Sequence, residues 1–183
     1  MVRVILERSF NTPLPMPMTY EAWKDMHQQV DSCLYLRGVS WIRSLISKDG
    51  CRCICEFEAP HADAVQEACR ESGTAFERVW RAEILPGAES DTTLSCQSPI
   101  AAEVRYDPPM TKEVWDIASQ KALPCYRELE VRRFFSFMSP DGKQSICLFE
   151  ASSADAVRSV YRKVGIPFKQ IWRSQLITPT QCQ

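Results

Sequence analysis

No stretch of this 183-residue chain approaches the roughly 20 consecutive apolar residues that a membrane-spanning helix needs. Charge of one sign is equally scarce. The 22 Lys and Arg and 23 Asp and Glu are interspersed and leave a net charge of −1, so no basic stripe exists to neutralise a phosphate backbone, and nucleic acid is excluded as a partner. There are only two histidines. Without a glycine-rich phosphate loop, an HExxH helix, a nucleophile elbow or an evident catalytic dyad, hydrolytic and nucleotide-dependent chemistry lose most of their support. The nine cysteines form no CxxC pair and are odd in number, which argues against a disulfide framework and a zinc ribbon alike. Val2-Arg3-Val4-Ile5-Leu6-Glu7-Arg8 reads as a charged strand and not as a signal peptide. A cytoplasmic protein with mostly free thiols is therefore expected.

What is present is a repeat. Residues 18–86 lie on 110–178 without a gap at an offset of 92, and about 25 of the 69 pairs are identical. Trp23 falls on Trp115, Cys33 on Cys125, Asp49-Gly50 on Asp141-Gly142, Cys55 on Cys147, and Trp80-Arg81 on Trp172-Arg173. This marks a tandem duplication of one supersecondary unit. The expected boundaries are a first repeat over 1–86, a linker over 87–99, a second repeat over 100–179 and a tail over 180–183. Each half is small enough to be marginal alone, so mutual burial is expected.

Each half reads strand, helix, strand, strand, helix, strand. In the first, Val2–Ser9 is a strand, and a proline-rich loop over Pro13–Pro17 precedes a helix capped by Thr19. Trp23, Met26, Val30, Cys33 and Leu34 form an apolar stripe on that helix. Strands over Val39–Ser47 and Cys51–Glu58 meet at Asp49-Gly50, a dipeptide suited to a tight turn. A second helix over Ala62–Ser72 is stopped by Gly73, and Arg78–Leu85 is the last strand. In the second half Thr111 caps the first helix, and Ser152 with Asp155 offers a capping box for the second. Two βαββαβ units imply an α+β fold of two ferredoxin-like repeats packed sheet to sheet as an intrachain pseudo-dimeric barrel. Strands apolar on both faces agree with this.

Few residues could carry chemistry. Cys51, Cys53 and Cys55 alternate along a strand and share a face, but a spacing near 7 Å, from the ~3.3 Å rise per residue, argues for packing over a shared metal ion. His27 lies beside the apolar stripe, and its counterpart is Ser119. His61, before the second helix, is expected to be exposed. Glu58 and Glu150, with Arg81 and Arg173, either pair at strand ends or hold a carboxylate or phenolate ligand. A pocket between the sheets is expected to be lined by Trp41, Arg43, Arg81, Cys147 and Arg173.

The stretches Ser47–Gly50, Ile54–Pro60, Asp63–Val65, Gly73, Phe76 and Val79-Trp80 resemble the bacterial domain-of-unknown-function family 4242. Ser139–Gly142, Cys147–Ala151, Gly165–Phe168 and Ile171-Trp172 resemble it more closely still. The resemblance covers nearly all of both repeats. It implies a ferredoxin-like barrel and, in one branch, nickel binding through a histidine of helix one, the cysteine three before Glu-Ala and a histidine of helix two. Carried onto this chain, those positions are His27, Cys55 and Cys69, one N and two S donors suited to nickel, zinc or copper. The second half offers Ser119, Cys147 and Tyr161, which should not bind a metal.

The expected function is thus non-catalytic binding of a small molecule or of one transition-metal ion by a chain that forms an internal pseudo-dimer and could dimerise further. The alternative is a cofactor-free oxygenase or isomerase acting on an aromatic or polyketide-like molecule between the sheets.

Overall fold

The computed structural model describes residues 1–87, 94 and 96–179. Most of the linker expected over 87–99, and the whole tail over 180–183, lie outside the described residues. The elements follow in the order β1 (Val2–Ser9), α1 (Tyr20–Leu36), β2 (Ser40–Ser47), β3 (Arg52–Ala59), α2 (Ala62–Glu71) and β4 (Arg78–Pro86). Then come β5 (Ile100–Arg105), α3 (Lys112–Glu128), β6 (Arg132–Met138), β7 (Gln144–Glu150), α4 (Ala154–Val164) and β8 (Gln170–Ile177). The same βαββαβ order occurs twice. The strands run β1-β3-β2-β8-β5-β7-β6-β4 and close into an eight-stranded antiparallel barrel, with four helices, as expected for the α+β class.

The chain divides into two compact units, one of residues 1–82 and 175–183, the other of residues 83–174. In the first, β1 pairs antiparallel with β3 and β4, and β2 pairs with β3. In the second, β5 pairs with β7 and β8, and β6 pairs with β7. The β2–β3 and β6–β7 hairpins carry the same irregularity, between Trp41 and Arg43 in one and between Arg133 and Phe135 in the other. A bulge of this kind re-aims side chains, and it falls beside the residues that matter below.

Helix α1 begins where the Thr19 hydroxyl accepts from the Ala22 amide, and α3 where Thr111 does the same for Val114. The buried stripe of α1 is Trp23, Val30 and Leu34, each contributing about 1.5–3 kcal/mol of apolar burial. Met26 departs from the expected stripe: it is 49% exposed, because the helix turns that position outward. The capping residue of α4 is Ser153, whose hydroxyl accepts from the Ala156 amide, and not the expected Ser152. His61, at the matching place before α2, is exposed as expected and caps through Nδ1, which accepts from Ala64.

In the first unit Val4, Leu6, Cys53, Cys55 and Phe57 face the helices, while Ile5, Glu7, Ile54 and Glu56 on the other face are buried as well. The buried acids were not foreseen. Trp80 donates from Nε1 to Glu7 at 2.7 Å, and Trp172 donates to Glu103 at 2.7 Å. Arg43 and Arg3 lie 2.6 and 3.6 Å from Glu56, whose carboxyl is nonetheless pushed up by its burial.

Each hairpin turn is clamped by the loop preceding the first helix. Leu14 donates to the Gly50 carbonyl and Met110 to the Gly142 carbonyl. Gly50 sits at φ +71°, and a Cβ there would collide with the Leu14 backbone. Gly73, at φ +68°, has open space around it. Urea denaturation should therefore find Gly73→Ala costing about 1 kcal/mol, the left-handed backbone alone, and Gly50→Ala clearly more. Equal costs would show that the clamp contributes nothing.

Candidate functional site

The seam between α1, α2 and the sheet of the first unit holds a small cavity of about 20 Å³, enough for one water-sized guest. The three residues expected as metal donors, His27, Cys55 and Cys69, all line it, together with Arg8, Trp23 and Trp41. Helix α1 delivers His27 one turn after Trp23, and the two rings stack with centroids 3.8 Å apart. Trp41 stacks on Trp23 at 6.3 Å, made possible by the bulge after it.

Both imidazole nitrogens of His27 are engaged. Nδ1 lies 2.8 Å from the Trp23 carbonyl and Nε2 lies 3.0 Å from Arg8. A carbonyl only accepts and a guanidinium only donates, so the ring is the neutral Nδ1–H tautomer with its Nε2 lone pair turned to Arg8. Burial holds the imidazole down to about 4; the Trp23 bond opposes this and the Arg8 charge adds to it. Arg8 stacks over Phe10 at 4.8 Å, and its Nε is buried without a hydrogen-bond partner.

The thiols are ordered by a relay. Trp41 donates from Nε1 to the Ser44 hydroxyl at 2.9 Å, and Ser44 donates to Cys55 Sγ at 3.0 Å. Cys53 Sγ lies 3.4 Å from Cys55 Sγ. This corrects the expected spacing of roughly 7 Å for one pair and leaves the packing role expected of the run in place: the backbone rise separates the Cα atoms, but the side chains of Cys53 and Cys55 lean together. Cys51 does not join them, since it precedes β3 and turns its thiol to the Asp49 carbonyl. Donation from Cys53 first, and from Ser44, holds Cys55 below the usual thiol range despite its burial. Burial pushes Cys53 well up, and Cys69 up to about 11. Of these three thiols, Cys55 is thus the readiest to be a thiolate.

Among the described residues, no three His, Cys, Asp or Glu side chains converge as they stand into a group able to hold a metal ion. Arg8 occupies the one lone pair that His27 has to offer. The eight described cysteines are free.

Of the residues expected to line a ligand pocket, Trp41 shares this cavity. Arg43 is bound to Glu56, and Arg81 is exposed on β4. Cys147 and Arg173 belong to the second unit, where Arg173 donates to the carbonyls of Ser98, Ala151 and Ser152. The suggested Glu150–Arg173 pairing is replaced by Glu150–Arg132, 2.7 Å. In the second unit Cys147 lines another cavity of about 20 Å³ with Tyr106, Trp115, Ser119, Arg133 and Tyr161. The relay is broken there: Arg133 replaces Trp41, and the Ser136 hydroxyl, counterpart of Ser44, is buried without a partner.

The fold and the seam define a tandem ferredoxin-like α+β barrel with one cysteine-bearing helix–sheet cavity in each repeat. The chain belongs to the family described as nickel responsive protein SCO4226-like, whose model matches residues 5–81 and again 103–173. One similar structure is SCO4226 from Streptomyces coelicolor A3(2), 23% identical over 40% of this chain and 90% of that one, with a TM-score of 0.37. A putative chlorite dismutase, TA0507, is 11% identical over 96% of this chain and 94% of that one, TM-score 0.53. Chlorite dismutase from Candidatus Nitrospira defluvii, solved with imidazole, is 10% identical over 96% and 91%, TM-score 0.54. The two chlorite dismutase likenesses concern the fold alone. No curated protein matches the chain. No helix among the described residues is long and apolar enough to cross a membrane.

The neutral state of His27 makes stability depend on pH. Its folded-state pKa, about 4, lies below the unfolded 6.5, so the unfolded chain takes up the proton first and stability falls as pH drops from 6.5 towards 4. The full shift amounts to roughly 3 kcal/mol. Urea midpoints should show His27→Gln less stable than the parent at pH 7, with the gap closing by pH 4.5. A gap that does not change with pH would refute the neutral, buried imidazole.

Proposed function

We propose that this chain is a binding protein of the cytoplasm, not an enzyme, and that the cavity of the first unit is a site for one soft transition-metal ion, nickel foremost. The observation that carries this reading is that His27, Cys55 and Cys69, far apart in sequence, line one cavity of ionic size, with Cys55 held below the usual thiol range. The family description, nickel responsive, points the same way.

The donor set fits the metal in kind: one imidazole nitrogen and two thiols, with Cys53 at hand as a third sulfur. A bound ion would supply the positive charge that stabilises Cys55 and Cys69 as thiolates. Everything else is the work of this chain. Arg8 is a cation already seated on His27 Nε2, so its guanidinium must leave before that lone pair is free. Its departure exchanges one cation for another in a buried place, which keeps the electrostatic cost of the exchange low. Protons must leave Cys55 and Cys69, so affinity should rise with pH. The Trp41–Ser44 relay favours that loss at Cys55.

Titration with Ni²⁺ under reducing conditions, followed by calorimetry and thiolate-to-metal absorption, tests the reading. One ion per chain is expected, bound more tightly by Arg8→Met, by about tenfold or more, and lost in Cys55→Ser. If neither the parent nor Arg8→Met binds Ni²⁺ better than Cys55→Ser does, the first unit is not a metal site.

A further inference from the structure

The duplication supplies an internal control, because each residue of the second helix–sheet seam can be compared with the one it diverged from. The second unit has a cavity of about 500 Å³ along the C-terminal half of α3 and the start of β6, a volume suited to a small organic molecule. Its apolar surface comes from Leu123, Tyr126 and Val131, and three arginines line it: Arg127, Arg132 and Arg133. The corresponding residues of the first repeat are Tyr35, Ser40 and Trp41, none of them charged. The three cations around this cavity are therefore a feature of the second repeat alone.

Arg133 is the most telling of the three. Its guanidinium lies over Trp115 at 5.1 Å, one terminal nitrogen donates to Ser119 at 3.3 Å, and its Nε is buried with no partner. Arg132 is held by Glu150 and stacks over Phe134 at 4.7 Å. Among the described residues Glu130 is the one acid lining the cavity, and it stands at φ 51° where the first repeat has Gly38 at φ +65°. A left-handed backbone is costly for a glutamate, so a strained residue lies at the edge of this cavity. Arg133 also lines a wider groove, about 870 Å³, with Glu83, Asp116 and Asp141 and one cation, Lys112. That groove is rich in acid, so a ligand drawn by the guanidinium belongs on the arginine side.

We propose that the second unit binds a small amphipathic organic anion, an aromatic carboxylate or its like. The carboxylate lies against Arg133, assisted by Arg127, and the ring lies on Leu123, Tyr126 and Val131. A planar guanidinium matches a carboxylate with two parallel donors, and a buried Nε without a partner is the group such a ligand would satisfy. This site is independent of the cysteine cavity of the first unit and does not rest on metal binding there.

The test uses 1-naphthoate, benzoate and the uncharged 1-naphthylmethanol as probes on the full chain, by calorimetry and by amide shifts in ¹⁵N-labelled protein. Saturable binding of 1-naphthoate is expected, with shifts concentrated at residues 119–133. It should weaken by about tenfold in Arg133→Gln and less in Arg127→Gln, and the neutral alcohol should bind about tenfold more weakly than the acid. Should Arg133→Gln fail to fold, Arg127→Gln and the acid-to-alcohol ratio still decide the matter. No binding of either acid at roughly 10 mM, or equal binding of acid and alcohol, overturns the proposal.

Discussion

Both faces of each sheet are buried, and this confines the chemistry of the molecule. The strand face turned away from the helices carries large buried side chains, Ile5 and Ile54 in the first unit and Phe135, Phe137 and Leu148 in the second. Among the described residues, each seam between helices and sheet holds a small cavity. In each repeat its lining comes from both helices, the bulged strand and the strand that carries the cysteine, Cys55 or Cys147. The two seams thus start from the same frame, and small substitutions decide what each can hold.

The fold was legible because its signals are local and doubled. Asp-Gly turns, threonine caps and alternating apolar strands occur twice at a single offset, so every reading could be checked against its counterpart. The misses also have physical causes. Ser152 and Ser153 are adjacent and chemically alike, and only backbone geometry selects which hydroxyl meets the Ala156 amide. Met26 follows the helical period, yet only a narrow stripe of α1 faces the sheet. The Glu7–Trp80 and Glu103–Trp172 bonds escaped for another reason. The first strands of the two repeats align at an offset of 96, as their pairings with Cys55 and Cys147 show, so the offset of 92 hides the match between Glu7 and Glu103.

The candidate site was legible in part. Placing His27, Cys55 and Cys69 together needed the helix–sheet packing of a ferredoxin-like unit, and family resemblance supplied it. Arg8 could not be found that way. It lies on β1, outside the aligned repeat, and its counterpart on β5 is Val104, so no symmetry drew attention to it. Nor did spacing along a strand report the closeness of Cys53 and Cys55, which depends on side-chain torsion.

The two guanidiniums show how a duplicated frame can diverge while keeping one electrostatic feature. In the first unit Arg8 arrives from β1 and meets residue 27; in the second Arg133 arrives from β6 and meets residue 119, the same helix position. Each has a buried Nε without a partner, beside a tryptophan of the helix. A half-buried cation without a carboxylate partner is costly, and its appearance from two different strands argues that the seam has use for a positive charge. In the first unit the charge sits among thiols, where Cys55 gains from it and where a metal ion could take its place. In the second the Trp41–Ser44 relay has no counterpart, Tyr161 stands at the position of Cys69, and the guanidinium adjoins a cavity large enough for an organic molecule. With Cys147 as the one thiol lining the second seam and Ser119 and Tyr161 in place of the other two donors, an anion is the partner that a cation in an aromatic seam can still attract.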